Sequence, residues 1–340
     1  MKIVQKINQN QNLFFLLLLI FTLNRNGFSV YGTVWREYSD SGKCNLDSLS
    51  VIDPMKIFFS LIGHCLGAGA YFSFYTIFVL LILRLILFEV HLHGKLSYKP
   101  LLCVLALLPG VTIVLGRYGT LDLLMISFSI LAGITLSKKR QAIYFFLMAL
   151  SHTEASLIIS IVLMLTLVLT KQKRDHSSFV SILEFLYLFS PSSILFFISI
   201  LMGNSRIAQS DDLLFISFSQ ALSSGYWLVF SWFGGLIFIV LQIFSGISRQ
   251  VLLIYAISLL ILGSFSFVTA DGTRVATMTL TFYLTKLIVR HLDSCYRSNH
   301  TLIFGLLTPG LYISNFNVFL PFRQILYLMG INVEIVQINL

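Results

Sequence analysis

The sequence predicts an all-α, polytopic membrane protein with about 10–11 transmembrane helices, and three observations support this fold class. Of the 340 residues, 57% are hydrophobic and only 11% are charged, whereas a soluble domain carries about 25% charged residues. The apolar residues form continuous runs and not the alternating pattern of a transmembrane β-barrel. Because one bilayer crossing needs about 20 apolar residues, we expect residues 1–340 to form a single transmembrane domain.

The N-terminal region predicts a first helix followed by a polar loop. The apolar run Leu13–Leu23 is short, but no small-x-small cleavage site follows it. We therefore interpret this run as an uncleaved helix and not as a signal peptide. The longest polar stretch, residues 31–56, comes next and contains Glu37 and Asp40. We expect it to form an acidic loop on the outer side of the membrane.

The apolar segments after this loop predict the remaining spans. Ile57–Ala70 is semi-apolar and is expected to lie at the membrane interface, whereas Tyr71–Val90 is expected to cross the bilayer. Further spans are predicted at Pro100–Gly116, Leu121–Leu136, Val180–Met202, Tyr226–Phe244, Val251–Phe267, Val275–Arg290 and Leu302–Leu320.

A helical hairpin is predicted at Gln141–Thr170. Basic clusters flank this apolar segment at Lys138–Arg140 and at Lys171–Arg174. Because basic residues favour the cytoplasmic side, both ends of the segment are expected to be cytoplasmic. The segment then forms two short helices, with His152 and Glu154 at the far turn.

Charge and cysteine content narrow the function classes. The net charge of +9 indicates basic cytoplasmic loops in so apolar a chain, and not a nucleic-acid-binding surface. Most acidic residues fall on the outer side in this topology, so acid–base chemistry is expected there. The four cysteines have no CxxC spacing, and the sequence therefore predicts neither a zinc site nor a disulfide framework. They are Cys44, Cys65, Cys103 and Cys295.

Several enzyme classes and cofactors have no support. The chain contains no GxxxxGK[ST], GxSxG or HExxH motif, which leaves ATP-driven transport, serine hydrolysis and zinc proteolysis without their usual groups. His152 and Glu154 are two residues apart and do not share a helix face, so they do not predict a metal site. The sequence gives no support for a divalent metal ion, and no cofactor is expected.

The candidate site residues lie in the outer turns. Asp40 or Glu37 is a candidate general base, since a carboxylate held over a cavity can deprotonate a substrate hydroxyl; the alternative is a solvated acidic loop. Arg117 and Asp122 either line a cavity or form an interfacial ion pair that orients two helices. Arg274 either binds a lipid-linked phosphate through its fork or anchors its helix at the headgroups.

The hairpin turn is the remaining candidate. His152 and Glu154 either contact a substrate hydroxyl or belong to a turn with a purely structural role. In the structural alternative, Ser151 and Thr153 are natural helix-capping residues.

The stretch Gly116–Arg174 resembles the recurring module of integral-membrane glycosyltransferases of the GT-C fold. In that module a charged outer turn opens a helix with a basic end, and a two-helix hairpin with a short polar tip follows. Met148–Leu150 and Ser151–Glu154 occupy the approach and the tip. The family places its catalytic acid in the outer loop after the first helix, which Asp40 or Glu37 would match.

This resemblance implies an inverting sugar transfer from a polyprenyl-phosphate donor to a lipid-linked glycan or polysaccharide acceptor. It also implies a multi-pass protein of the bacterial inner membrane, with membrane lipids and the two glycolipid substrates as partners. One alternative is a polymerase of O-antigen or capsule repeat units, although such polymerases tend to carry their main outer loop late in the chain. Another is a non-enzymatic glycolipid flippase or membrane binding protein, with no functional need for Asp40.

Overall fold

The structure is a computed structural model, and helices dominate the part of the chain that it describes. It describes residues 11–26, 38, 53–93, 95–116, 118–171, 190–198, 231–264, 272–290, 305, 312–314, 317–319 and 336–337. The labelled helices are α1 (Gln11–Asn26), α2 (Pro54–Leu92), α3 (Lys95–Ala106), α4 (Pro109–Gly116), α5 (Asp122–Ile134), α6 (Lys138–Ser151), α7 (Thr153–Lys171), α8 (Ile237–Gly246), α9 (Arg249–Ser264) and α10 (Gly272–Arg290). A 3₁₀ turn, Gly234–Leu236, precedes α8.

Helix α2 is long and kinked. Pro54 occupies its first turn, where the missing N–H costs no hydrogen bond. At Gly67 the backbone has φ 85° and ψ 172°, a conformation that favours glycine and divides the helix into two segments. The kink lies close to the predicted boundary between an interfacial segment and a span.

Helix α2 is also the described helix that could cross a membrane by its length and composition. Among the described residues it is the one helix that is long and apolar enough to cross a bilayer, and only 17% of its most apolar window is buried. Large apolar side chains such as Phe74, Ile77 and Leu80 are exposed along it. An exposed apolar surface of this kind is typical of a helix in contact with lipid. The other described apolar helices, including Leu13–Leu23 and Asp122–Ile134, are shorter, so the predicted number of spans stays a prediction.

Helix α5 is the centre of the core, because all of its residues are buried. It packs mainly against α6 and α10 and also contacts α2. At Gly133 a Cβ atom would lie 2.7 Å from the Thr285 side chain, so the glycine permits the close approach of α5 and α10. Phe145 and Phe282 meet edge to face at 4.9 Å and join α6 to α10.

The predicted break between the two helices of the hairpin is confirmed. Helix α6 ends at Ser151, His152 has an extended backbone (φ −158°, ψ 93°), and α7 begins at Thr153. Helices α5 and α6 are antiparallel, since Gln141 Nε2 donates to the carbonyl of Ala132 at the end opposite this turn. We call the end of the bundle that holds Asp122, Ser151 and Thr153 the tip end.

The first of two predicted spans that differ from the structure is Pro100–Gly116. It is not one continuous helix, because α3 ends at Ala106 and α4 starts at Pro109. A proline disfavours helical backbone in the residue before it and is well placed at the first position of a new helix.

The predicted span Leu302–Leu320 contains strands. β1 (Tyr312–Ser314) pairs antiparallel with β2 (Asn317–Phe319), and β2 pairs with β3 (Val336–Gln337). Aromatic and β-branched residues in these strands favour extended backbone, and Pro309 and Gly310 precede them as helix breakers.

Candidate functional site

The tip end contains an ion pair between a buried Asp122 of α5 and a partly exposed Arg274 of α10. Arg274 Nε lies 2.6 Å from Asp122 Oδ2, and Arg274 Nη2 donates to Asp122 Oδ1 at 2.9 Å. One carboxylate oxygen thus accepts a hydrogen bond from Nη2, and the other makes an ionic contact with Nε. Asp122 also lies in the first turn of α5, where the helix dipole favours a negative charge.

The turn before Asp122 is fixed by two tyrosines of α2. Tyr71 Oη donates to the carbonyl of Gly119 at 2.5 Å, and Tyr75 Oη donates to the carbonyl of Thr120 at 2.6 Å. Thr120 Oγ1 in turn makes a long hydrogen bond of 3.4 Å to Asp122 Oδ2. The position of the carboxylate is thus tied to α2 as well as to α10.

An aromatic layer joins the first segment of α2 to this turn. The ring of Phe59 meets the rings of Tyr71 and Tyr75 edge to face, each at 5.9 Å. Tyr38 is buried beside Tyr71, with 4.7 Å between ring centroids, and its hydroxyl lies 3.1 Å from Ser60 Oγ. The outer loop predicted from the sequence therefore has a buried anchor two residues before Asp40.

The hairpin tip is attached to the start of α2. Asp53 is 8% exposed, and its Oδ1 accepts a hydrogen bond of 3.0 Å from the backbone N–H of Thr153. Ser151 Oγ contacts Met55 Sδ at 3.5 Å. The first N–H groups of a helix have no acceptor within that helix, and Asp53 supplies an acceptor for one of those at the start of α7.

His152 and Glu154 project from this attached tip. His152 Nδ1 accepts from the N–H of Ala155 at 3.4 Å, so in the neutral ring the proton is on Nε2, a hydrogen-bond donor. Glu154 is half-buried and has no hydrogen-bond or ion-pair partner among the described residues. The hydroxyls of Ser151 and Thr153 donate to carbonyls near the C-terminal end of α6, those of Leu147 and Ala149, and not to N–H groups of α7.

The structure brings together some of the predicted site residues. Asp122 pairs with Arg274, whereas the sequence had grouped Asp122 with Arg117. His152 and Glu154 lie at the same end of the bundle, joined to that pair through the first segment of α2. Asp40, Glu37 and Arg117 lie outside the described residues.

Sequence reasoning missed a second ion pair, between a buried Glu89 and a partly exposed Arg140, at the end of the bundle opposite the tip. Glu89 of α2 is 1% exposed, and its Oε1 lies 2.7 Å from Arg140 Nε and accepts from Tyr144 Oη at 2.9 Å. The pair connects α2 to α6. The signal that could have predicted this pair is Glu89 itself, a single acidic residue within the long apolar sequence of α2.

The expectation about disulfides is wrong for Cys65, which is disulfide-bonded. Cys103 is a buried free thiol. The spacing rule failed because it detects cysteines that are close in sequence, whereas a disulfide requires only proximity in space. The described residues contain no group of three histidine, cysteine or acidic side chains that could hold a metal ion.

Comparison with known proteins finds no family model, curated protein or solved structure that matches this chain.

Proposed function

We propose that this chain is a polytopic membrane glycosyltransferase that moves a sugar from a polyprenyl-phosphate donor to a lipid-linked glycan or polysaccharide acceptor. The reaction would take place on the outer face of the bacterial inner membrane, with inversion at the anomeric carbon. The observation that carries the proposal is the collection of groups at the tip end: the Asp122–Arg274 pair, and Glu154, which lies beside His152 and has no partner in the part of the chain that the structure describes.

The outer location is supported by charge and by redox chemistry. The basic clusters that flank the α6–α7 hairpin favour a cytoplasmic position for the end opposite the tip. Cys65 lies in the first segment of α2, which packs at the tip end, and disulfides persist in oxidising compartments outside the cytoplasm. Both arguments support an outer position for the tip end.

The chemistry needs a base and a stabilised leaving group. A sugar hydroxyl is a poor nucleophile until its proton is removed, and we assign this role to Asp40, with Glu37 as the reserve. The hydroxyl then attacks the anomeric carbon, and the bond to the polyprenyl phosphate breaks. We assign to Arg274 the stabilisation of the phosphate that leaves, because its guanidinium is always charged.

Two other functions remain as alternatives. A repeat-unit polymerase also acts on polyprenyl-linked glycans outside the membrane and needs arginines there. A glycolipid flippase or binding protein would use the same apolar exterior but would need no base. The unpaired carboxylate of Glu154 at the tip favours an enzyme over a flippase.

The test of the proposal uses Asp40→Asn, a nearly isosteric change. We expect transfer activity to fall by about 10²–10⁴-fold, the contribution of a positioned general base, while the protein accumulates normally. Glu37→Gln and Asp47→Asn in the same loop serve as matched variants. Loss of activity in one of these two would move the base to that residue. Normal activity in all three would contradict the enzyme proposal for this loop.

A further inference from the structure

We propose that Cys65 is joined to Cys44 by a disulfide, and that this bond, together with the buried Tyr38, holds residues 38–44 of the outer loop against the first segment of α2. The pairing is independent of the proposed function, whereas its consequence rests on that function. Residues 38–44 include Asp40, the carboxylate that we assign as the general base. The disulfide thus positions this carboxylate.

The cysteine content leaves two candidates for the partner of Cys65. Cys65 is disulfide-bonded, and Cys103 is a buried free thiol. The sequence contains two further cysteines, Cys44 and Cys295. Cys65 therefore pairs with one of these two.

Cys295 follows the end of α10 that is remote from Cys65. Helix α10 starts at the tip end with Arg274, and its last residue, Arg290, lies about 24 Å farther along the helix axis, at a rise of ~1.5 Å per residue. The five residues that lead on to Cys295 reach at most about 18 Å when fully extended, which falls short of the tip end. In the proposed topology Cys295 is also cytoplasmic, where thiols stay reduced.

Tyr38 brings the chain that precedes Cys44 close to Cys65. The Tyr38 ring meets the His64 ring edge to face at 5.1 Å, and a Cβ atom on Gly63 would lie 2.6 Å from the Tyr38 ring. The next six residues, up to Cys44, span as much as about 20 Å, which is ample for a disulfide with Cα atoms ~5.5–6 Å apart. Cys65 is exposed, so its side chain is accessible to the loop.

The anchored segment begins beside the turn that leads to the Asp122–Arg274 pair. Tyr38 packs against Tyr71, whose hydroxyl donates to the carbonyl of Gly119 in that turn. Packing fixes one end of residues 38–44, and the disulfide fixes the other end covalently. Two anchors so close in sequence restrict the positions that the carboxylate between them can take.

The bond forms and breaks by balanced thiol chemistry. On formation, two thiols lose two protons and two electrons to the disulfide of an oxidising protein outside the cytoplasm, which becomes a dithiol. A phosphine such as tris(2-carboxyethyl)phosphine reverses the step: it takes the oxygen of one water molecule and becomes a phosphine oxide, and the two hydrogens of that water complete the two thiols. Because Cys65 is exposed, we expect the phosphine to reach the bond.

Peptide mapping tests the pairing. The purified full-length chain is denatured in N-ethylmaleimide without a reductant, digested and analysed by mass spectrometry. We expect one linked pair of peptides, which contain Cys44 and Cys65, and alkylated peptides that contain Cys103 and Cys295. A Cys65–Cys295 link, or a maleimide adduct on Cys65, would overturn the proposal.

Hydrogen exchange tests the positioning role. In the detergent-purified chain, Cys44→Ser should raise amide exchange of residues 38–44 by about tenfold or more and leave α5 unchanged, because the loss of one anchor releases the segment locally. Treatment of the wild-type chain with the phosphine should have the same effect. Cys295→Ser is the matched control and should change neither region. Unchanged exchange at residues 38–44 in Cys44→Ser, or an equal rise throughout α5, would contradict a positioning role.

Complementation of a deletion mutant separates this proposal from the proposed function. Cys44→Ser should add sugar to the envelope glycans at about a tenth of the rate of Cys295→Ser or less, since a displaced catalytic group costs up to about 10²-fold. A full rate with Cys44→Ser and a loss with Asp40→Asn would overturn the positioning role and keep the base. A full rate with Asp40→Asn would contradict the base, whereas the pairing of the cysteines is decided by the peptide map.

Discussion

Asp53, which precedes α2, accepts a hydrogen bond from the backbone N–H of Thr153, 100 residues later in the chain, at 3.0 Å. The contact caps α7 with a side chain from another helix. It also fixes the turn that carries His152 and Glu154 relative to the first segment of α2.

Removal of this cap should destabilise the tip end. We expect Asp53→Ala to lower the free energy of unfolding by about 1–2 kcal/mol, because the buried N–H of Thr153 loses its partner. Asp53→Asn keeps an acceptor oxygen and should cost less. Thermal unfolding of the purified variants measures both effects, and equal stability of Asp53→Ala and the wild-type chain would show that the cap contributes nothing.

Gly119 is expected to be the most sensitive glycine of the turn before α5. Its φ of 106° disfavours other residues, and a Cβ atom there would lie 2.6 Å from Phe72 Cε1. Gly119→Ala should therefore destabilise the protein by about 1–2 kcal/mol from the backbone alone. Gly69→Ala is the matched control, since nothing lies within 4 Å of its Cβ position and alanine favours a helix. A smaller loss of Tm for Gly119→Ala than for Gly69→Ala would refute this explanation.

The predicted orientation is open to cysteine labelling. Single cysteines at Ser39 and Gly272 should react with an impermeant maleimide added to intact cells, and cysteines at Lys139 and Gln172 should react only after the cells are opened. The unsubstituted chain measures the background from the native cysteines. Labelling of Lys139 and Gln172 from opposite sides would contradict the hairpin topology.

The sequence was sufficient for features that depend on local pattern. The α6–α7 hairpin could be predicted because an apolar segment of about 30 residues between two basic clusters exceeds one bilayer crossing. The same reasoning failed at residues 312–319, since apolar composition alone does not distinguish a buried helix from a short strand.

The partners of the site residues could not be predicted. Asp122 and Arg274 are 152 residues apart, and only the packing of α5 against α10 brings them together. The sequence placed Asp122 beside Arg117, its neighbour along the chain. Asp53 belongs to the predicted acidic loop, whereas in the fold its carboxylate caps a helix. Pairings of this kind depend on tertiary structure and cannot be read from the spacing of the residues along the sequence.

The most direct test of glycosyl transfer compares the envelope glycans of a strain that naturally carries the gene with those of its deletion mutant, by mass spectrometry. A transferase predicts glycans that lack one sugar per acceptor and keep their chain length, and complementation with the wild-type chain but not with Asp40→Asn should restore that sugar. Intact repeat units in shortened chains would indicate the polymerase instead, and accumulation of complete lipid-linked units would indicate the flippase. Unchanged glycans in the deletion mutant would contradict the proposed function.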